Sequence, residues 1–534
     1  MGGVVNIITK RGARGKSGVM TVGDYRTGAL SLMALGRKEI LGREVEHLFV
    51  ADGFQTAGDF LFYDNNATEF VLSDDTMTKR ENNDKRQLNL LARLRTKKMT
   101  LTDSVLLRDA GVPGPGVAQA LAARSAVGRN LFGLGLSRTD GAWDQTFSLW
   151  DHLRVETYDD RNGEVGVGND WDRDRFHTLG GIWNHKMSVD SRWMLGATLG
   201  ARLDQWRHTD LATGEQGDQR SRLAATVTPY GYSYLFEDLV TVDAALRLQL
   251  DQNGTFGTDE TTDLGDTSLD QRSILPRGGV LVRPADWFTV KSSIGQYQRP
   301  PDFTELFGDR GSVIGNEDLR PEHGWLVDVG VRAESARGSL EVGFFRRDTT
   351  DLITYVQNSQ RTMVPVNLGK SQVQGLELAV AGSVGPLKSA TSLTRNWSEN
   401  LSSDEAYAGN QIPGLPAWSA SQESTLAFGE RFDVHHTWSH IDGNYWDQTN
   451  WYRAAPRSLH SAFLRTRMWQ SLALELSVRN VFDRRVEEVP RNPLDSDDTD
   501  VIMQGIEDFH GYPLPGRTIQ LSLTWSQTAE DAPE

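Results

Sequence analysis

Apolar and polar residues alternate with a period of two along much of this chain, and that period predicts strands rather than helices. In Ile519 to Trp525, Ile519, Leu521, Leu523 and Trp525 share one face, while Gln520, Ser522 and Thr524 share the other. Leu472, Leu474, Leu476 and Val478 oppose Ala473, Glu475 and Ser477, and Val327, Val329 and Val331 oppose Asp328, Gly330 and Arg332. Leu88, Leu90, Ala92 and Leu94 likewise oppose Asn89, Leu91, Arg93 and Arg95. One face of each strand is apolar and the other repeatedly carries charge. A barrel with lipid outside and water inside has this pattern.

The connections alternate in length. Short turns are expected at Arg95 to Met99, Arg138 to Ala142, Arg283 to Asp286, Ser335 to Gly338, Gly385 to Lys388, Gly429 to Arg431 and Trp469 to Ser471. Between them lie long polar or Gly/Pro-rich stretches: Asp59 to Asp84, Ala110 to Val127, Gly254 to Asp270, Thr304 to Pro321, Leu401 to Ala417 and Val489 to Gly516. Short periplasmic turns and long extracellular loops are the habit of outer-membrane barrels. The expected fold is therefore all-β, a transmembrane antiparallel β-barrel of about 22 strands from Gly18 to Trp525, an even number in the range such barrels use.

Composition is consistent with that reading. A mean hydropathy of −0.46 and the lack of any apolar run of roughly 18–20 residues exclude a membrane helix. A barrel strand needs only about 9–11 residues, half of them polar, so low hydropathy is no obstacle to insertion. With no cysteine among 534 residues, disulfides and thiolate metal sites are excluded. A formal charge of −16 argues against nucleic acid as a partner. The first residues lack the basic and small-residue marks of a secretory signal.

Motifs then give a family. The opening MGGVVNIITKRG, with Gly2, Gly3, Asn6 and Lys10, resembles the last segment of the plug domain of TonB-dependent outer-membrane receptors. Residues 292–333 resemble that family's box of an aromatic, Arg, Pro, Glu-Leu-Phe and later Asn, Leu, Pro-Glu, on Tyr297, Arg299, Pro301, Glu305, Leu306, Phe307, Asn316, Leu319, Pro321 and Glu322. Pro300 and Pro301 cannot donate to a ladder and should end one strand, and Glu322 should begin the next. Three further boxes follow in the family's order: Gly375 and Glu377 in VNLGKSQVQGLEL, Asn480, Phe482 and Asp483 in VRNVFDRR, and Pro515, Gly516 and Arg517 before the last strand. GDFLFYDNNATEF and the later RENND are similar to the first large loop of some members.

The resemblance implies a plug remnant over residues 1–16, a barrel over 17–525 and an acidic, disordered tail over 526–534. Nine residues follow Trp525, whereas family members usually end on the terminal aromatic. It implies an outer-membrane receptor of a Gram-negative bacterium, importing a scarce nutrient such as an iron-siderophore or cobalamin-like ligand, with no covalent chemistry and no cofactor. Its partners would be membrane lipid and lipopolysaccharide, a small ligand such as a metal chelate, and the TonB system; the chain would be a monomer. On this reading most of the plug, the TonB-contacting box and the signal peptide lie outside the chain, through a truncation or a misplaced start. An unplugged lumen would be an open pore or an unfilled barrel, leaving inward charges such as Arg93 and Arg332 without plug partners. The alternative is a barrel that does not transport, serving as an adhesin or scaffold.

Other candidate chemistry is weaker. Tyr445, Trp446, Trp451 and Tyr452 could grip a ligand at the mouth, or form an interfacial girdle. His435, His436 and His440 suggest haem or metal, but on a strand only His436 and His440 share a face. Asp495 to Asp500, DSDDTD, has calcium-like oxygens without the spacing or Gly of a calcium loop. Gly15-Lys16-Ser17 lacks the first Gly of a phosphate loop, which is Lys10 here. GxSxG and HExxH do not occur, so an enzyme is not expected, and no metal site is expected either.

Overall fold

The computed structural model describes residues 14–68, 70–166, 168–256, 271–308, 313–357, 362–492 and 500–529. The alternating segments form one 22-stranded antiparallel sheet that closes on itself. Arg14–Gly23 pairs on one side with Thr27–Ile40 and on the other with Thr518–Ala529. Closure satisfies the backbone groups of both would-be edges, which a wall bathed in hydrocarbon requires.

Register fixes the faces, because directly opposed residues point the same way. Met20 is opposite Leu30, Leu30 opposite Gly53, Gly53 opposite Leu88 and Leu88 opposite Leu107. These apolar side chains are exposed on the outward face, where a bilayer would cover them. Trp325, Trp397 and Trp418 ring its loop-side end, and Trp143, Trp193 and Trp525 lie toward the opposite end. Two aromatic girdles are what lipid interfaces select.

Strand ends agree closely with the turns read from sequence. Lys85–Arg95 gives way to Met99–Gly111, and Glu322–Ser335 to Gly338–Gln357. Phe288–Arg299 stops at Pro300, and the next strand starts at Glu322. Several strands far exceed the roughly 10 residues needed to cross lipid. Met363–Val384 has 22 residues, so the wall projects beyond the membrane on its loop side.

Four features differ from expectation. The first loop-side connection is only residues 24–26. The last strand runs to Ala529, with Ser526 opposite Ser17 and Ala529 opposite Arg14; backbone pairing thus continues through part of the segment read as a disordered tail. The wall likewise begins at Arg14 rather than residue 17. Finally, a helix of five residues, Phe303–Phe307, follows the Pro-Pro pair. Gly2, Gly3, Asn6 and Lys10 lie outside the described residues, as does most of the acidic run from Asp495.

Candidate functional site

The loop-side mouth gathers the motif residues. Asp302 caps the short helix: its carboxylate accepts from the Glu305 N–H at 2.7 Å, while Glu305 accepts from the Asp302 N–H at 2.8 Å. This reciprocal capping box satisfies two donors the helix leaves free. Arg299 Nη1 reaches both Glu305 oxygens at 3.0 and 2.9 Å, and its Nη2 donates to Glu322 at 3.4 Å. Both carboxylates are buried, and burial is tolerable because each is charge-paired.

The helix lies on the lumen side of the wall. Phe307 stacks on Trp206 with centroids 5.4 Å apart, and the Arg222 guanidinium sits 5.3 Å from the Phe303 centroid. Arg222 also donates to the Pro301 carbonyl at 2.8 Å. Leu306 and Leu319 pack with Ile353 in a small buried cluster. The Asn316 N–H donates to the Glu305 carbonyl at 2.8 Å, and its side-chain amide donates to the Pro365 carbonyl at 3.0 Å. The Arg-Pro and Asn-Leu-Pro-Glu motifs therefore brace one inward-folded segment. Pro301 and Pro365 are almost wholly buried.

Two other motifs meet each other. Asp483 accepts from the Arg517 N–H at 2.6 Å and from Arg485 Nε at 3.0 Å. Burial alone would raise its pKa, but these donors hold its carboxyl below the usual range. A Cβ on Gly516 would fall 2.2 Å from Arg485 Nε and 2.3 Å from the Asp483 carboxylate, so a side chain there would push this ion pair aside. Asn480 has φ of 47° and bonds both backbone groups of Arg484, with the Nδ2–carbonyl bond at 2.7 Å and the N–H to Oδ1 bond at 3.0 Å. Phe482 is exposed and stands edge-on to His460. Gly375 serves the wall itself: a Cβ would lie 2.5 Å from the Phe345 ring. Glu377 faces the lumen opposite Gly343.

The first large loop is stitched to its neighbours. Asn82 donates to the Ala123 carbonyl at 2.7 Å and Asn83 to that of Gly58 at 2.8 Å. Arg80 is buried against Phe62 and Tyr512 and donates to the Gly114 carbonyl. Burial pushes its guanidinium down to about 10, so it stays charged near neutrality. Glu164 accepts three backbone N–H groups, from Leu121, Ala122 and Ala123. Those bonds, the Ala122 one foremost, hold its carboxyl below the usual range.

Tyr445, Trp446, Trp451 and Tyr452 occupy residues 443–456, beyond the strand ends. Trp446 lies 6.1 Å from Phe509 and Tyr452 lies 5.8 Å from His510, centroid to centroid. Trp451 and Tyr452 are exposed. This is a mouth position, not a girdle. His436 and His440 share a face as expected, but register turns it outward: His436 is opposite Ala462 in the wall that carries Leu464 and Leu476. The pair would face lipid, away from any ligand in the lumen. His435 points inward and bonds Thr425. Among the described residues no cluster of three metal-ligating side chains occurs. Arg332 finds its partners on the wall, Glu334 at 3.1 Å and Glu341 at 3.8 Å.

Arg222, Trp206 and Asp174 were not singled out in the sequence. Asp174 accepts from Trp206 Nε1 at 3.2 Å. Their one sequence signal is inward-facing charge in a long alternating strand.

A family model described as "TonB dependent receptor-like, beta-barrel" matches residues 59–481. A vitamin B12 transporter of Vibrio vulnificus is 21% identical over 300 residues, covering 49% of this chain and 46% of that protein. Transferrin-binding protein A of Neisseria gonorrhoeae is 27% identical over 134 residues, 25% of this chain and 14% of that protein. The matches thus span less than half the length of these relatives. Among solved structures, the FrpB iron transporter of Neisseria meningitidis superposes with a TM-score of 0.71 at 13% identity, over 96% of this chain and 82% of that one. The copper transporter OprC gives 0.69 at 15% identity, over 97% and 81%. At such identities the shared property is the fold.

Proposed function

The chain belongs to the TonB-dependent receptor family, and from that premise we propose that it forms the membrane wall of an outer-membrane importer for a scarce metal chelate or cobalamin-like ligand. The observation that carries this reading is that the match over residues 59–481 coincides with a closed barrel whose mouth is braced by segments that resemble the family's motifs. The relatives' names, which speak of vitamin B12, transferrin, iron and copper, support uptake of a metal or a metal-bearing ligand. Energy would come from the TonB system, acting from the periplasmic side. Trp446, Trp451, Tyr445 and Tyr452 would give the ligand its first contact, since aromatic faces bind flat apolar surface at low entropic cost.

The test is a fluorescence titration of the folded barrel with ferric hydroxamate, ferric catecholate, free haem and cyanocobalamin. Saturable tryptophan quenching by one of these, lost in Trp446→Ala, is expected. Absence of saturable binding by all four, with the barrel intact, would overturn the reading.

A further inference from the structure

The outward wall is not uniform. The row from Met20 to Leu107 is apolar or glycine throughout, as a lipid contact requires. On the strands from Leu387–Asn400 to Arg457–Trp469, two successive outward rows are polar instead. In one, Thr391 is opposite Gln422, Gln422 opposite Trp438 and Trp438 opposite His460. In the next, Ser389 is opposite Ser424, Ser424 opposite His436 and His436 opposite Ala462. An apolar row of Leu387, Leu426, Val434 and Leu464 follows on the periplasmic side.

These polar rows lie deep. Ser424 is six residues from Trp418 of the loop-side girdle, and His436 is four from Phe432 at the periplasmic turn. At about 3.3 Å per residue and a tilt near 40°, those separations are depths of roughly 15 and 10 Å. The patch bonds partly with itself. Ser424 donates to Ser389 at 2.9 Å, Gln422 Nε2 bonds both serines, and one hydrogen joins His436 Nε2 to His460 Nδ1 at 3.2 Å. Trp438 Nε1 donates to Ser458 at 2.9 Å. Among the described residues, the Gln422 carbonyl, His436 Nδ1, His460 Nε2 and both ring nitrogens of His440 have no hydrogen-bond partner. Acyl chains offer these groups nothing.

We propose that this face docks against the same face of a second copy of the chain, with the two-fold axis along the membrane normal. Three properties select that partner. A second copy enters the membrane in the same orientation, so its polar rows meet these at the same depth. Neutral imidazole, amide and hydroxyl groups both donate and accept, so the patch is complementary to itself, as an isologous interface demands. Ala420 and Ala462 border it, and Gly382 is opposite Ser389; such small residues let membrane-embedded surfaces approach closely. A dimer departs from the monomer that the family resemblance implies. The inference rests on the family's outer-membrane placement and is independent of which ligand is imported.

The chain has no cysteine, so one introduced thiol reports one position. Purified A420C and S424C lie on the central strand of the patch; in dilute lipid vesicles oxidised with copper phenanthroline, at least one should form a disulfide-linked dimer. G53C, on the apolar row, should stay monomeric. Q422L/H436F/H460F should keep the folded band in unheated electrophoresis yet raise the dimer dissociation constant in vesicles by roughly tenfold or more. H177F, eleven strands away round the wall where His177 pairs outward with Asp151, should leave that constant unchanged. Linkage at neither position beyond the G53C level, an unchanged constant in Q422L/H436F/H460F, or loss of the dimer in H177F would overturn the proposal. Quenching by the imported ligand reads the mouth separately, so either proposal can fail without the other.

Discussion

Replacing Glu305 by alanine should loosen the inward segment without opening the barrel. The carboxylate holds three bonds, two from Arg299 and one from the Asp302 N–H. A bond to a charged group is worth about 1.5–3 kcal/mol. The sum must be discounted, because Arg299 keeps Glu322 as a partner and its side chain is 40% exposed. A net local loss of about 3 kcal/mol follows, which at about 1.4 kcal/mol per decade is roughly a hundredfold rise in the opening equilibrium. Native-state hydrogen exchange on the lipid-embedded protein reads this directly. The Asn316 amide, bonded to the Glu305 carbonyl, should exchange faster by that factor, while amides of Thr518–Ala529 stay unchanged. Glu305→Gln should fall between, and the exposed Glu317→Ala should do nothing. A change below about threefold at Asn316, or equal acceleration in the wall, would show that the capping box and ion pair do not hold the segment.

Gly375→Val should destabilise the wall by about 1–3 kcal/mol through overpacking against Phe345 and the Arg395 carbonyl, lowering the temperature at which the folded band is lost in detergent electrophoresis. Asn480→Ala removes a side chain that stabilises a positive φ and bonds Arg484; at a cost of about 1–3 kcal/mol, trypsin should cut faster after Arg484 and Arg485. The lowered pKa values of Asp483 and Glu164 set a sign for pH. A carboxyl whose folded value lies below its unfolded one stabilises fully above the unfolded value and loses that contribution as pH falls through the folded one. Mouth loops should therefore come loose below the ordinary carboxylate range while the wall persists, a sequence that loop proteolysis with an acid protease against far-UV circular dichroism would resolve. Simultaneous loss of both would contradict it.

Much of the wall was legible because a period of two survives in a single sequence: Leu88 through Leu94 and Ile519 through Trp525 face where alternation puts them. Prolines marked the break at Arg299 and the restart at Glu322 for a purely covalent reason. The helix at Phe303 was missed although Asp302 and Glu305 spell a capping box, because a five-residue helix has no periodicity to read. Alternation also could not show that the shared face of His436 and His440 is the outward one, since both faces there carry polar residues. The Arg222 contact with Pro301 joins residues 79 positions apart, and only register brings them together. Ser526 to Ala529 continue the last strand because Arg14 to Ser17 offer them a partner, which composition alone does not reveal.

Closure of the wall depends on a seam between its two most distant parts, where Thr21 bonds Ser522 across 501 positions. Until that seam forms, every partly built sheet has two open edges able to recruit strands from other chains. Local hairpins can assemble early, but the final contact carries nearly the maximum loop-closure cost the chain can impose. Completion of the cylinder is thus a late, all-or-none event, and a defect confined to either seam strand would leave the other twenty-one strands in an aggregation-prone ribbon.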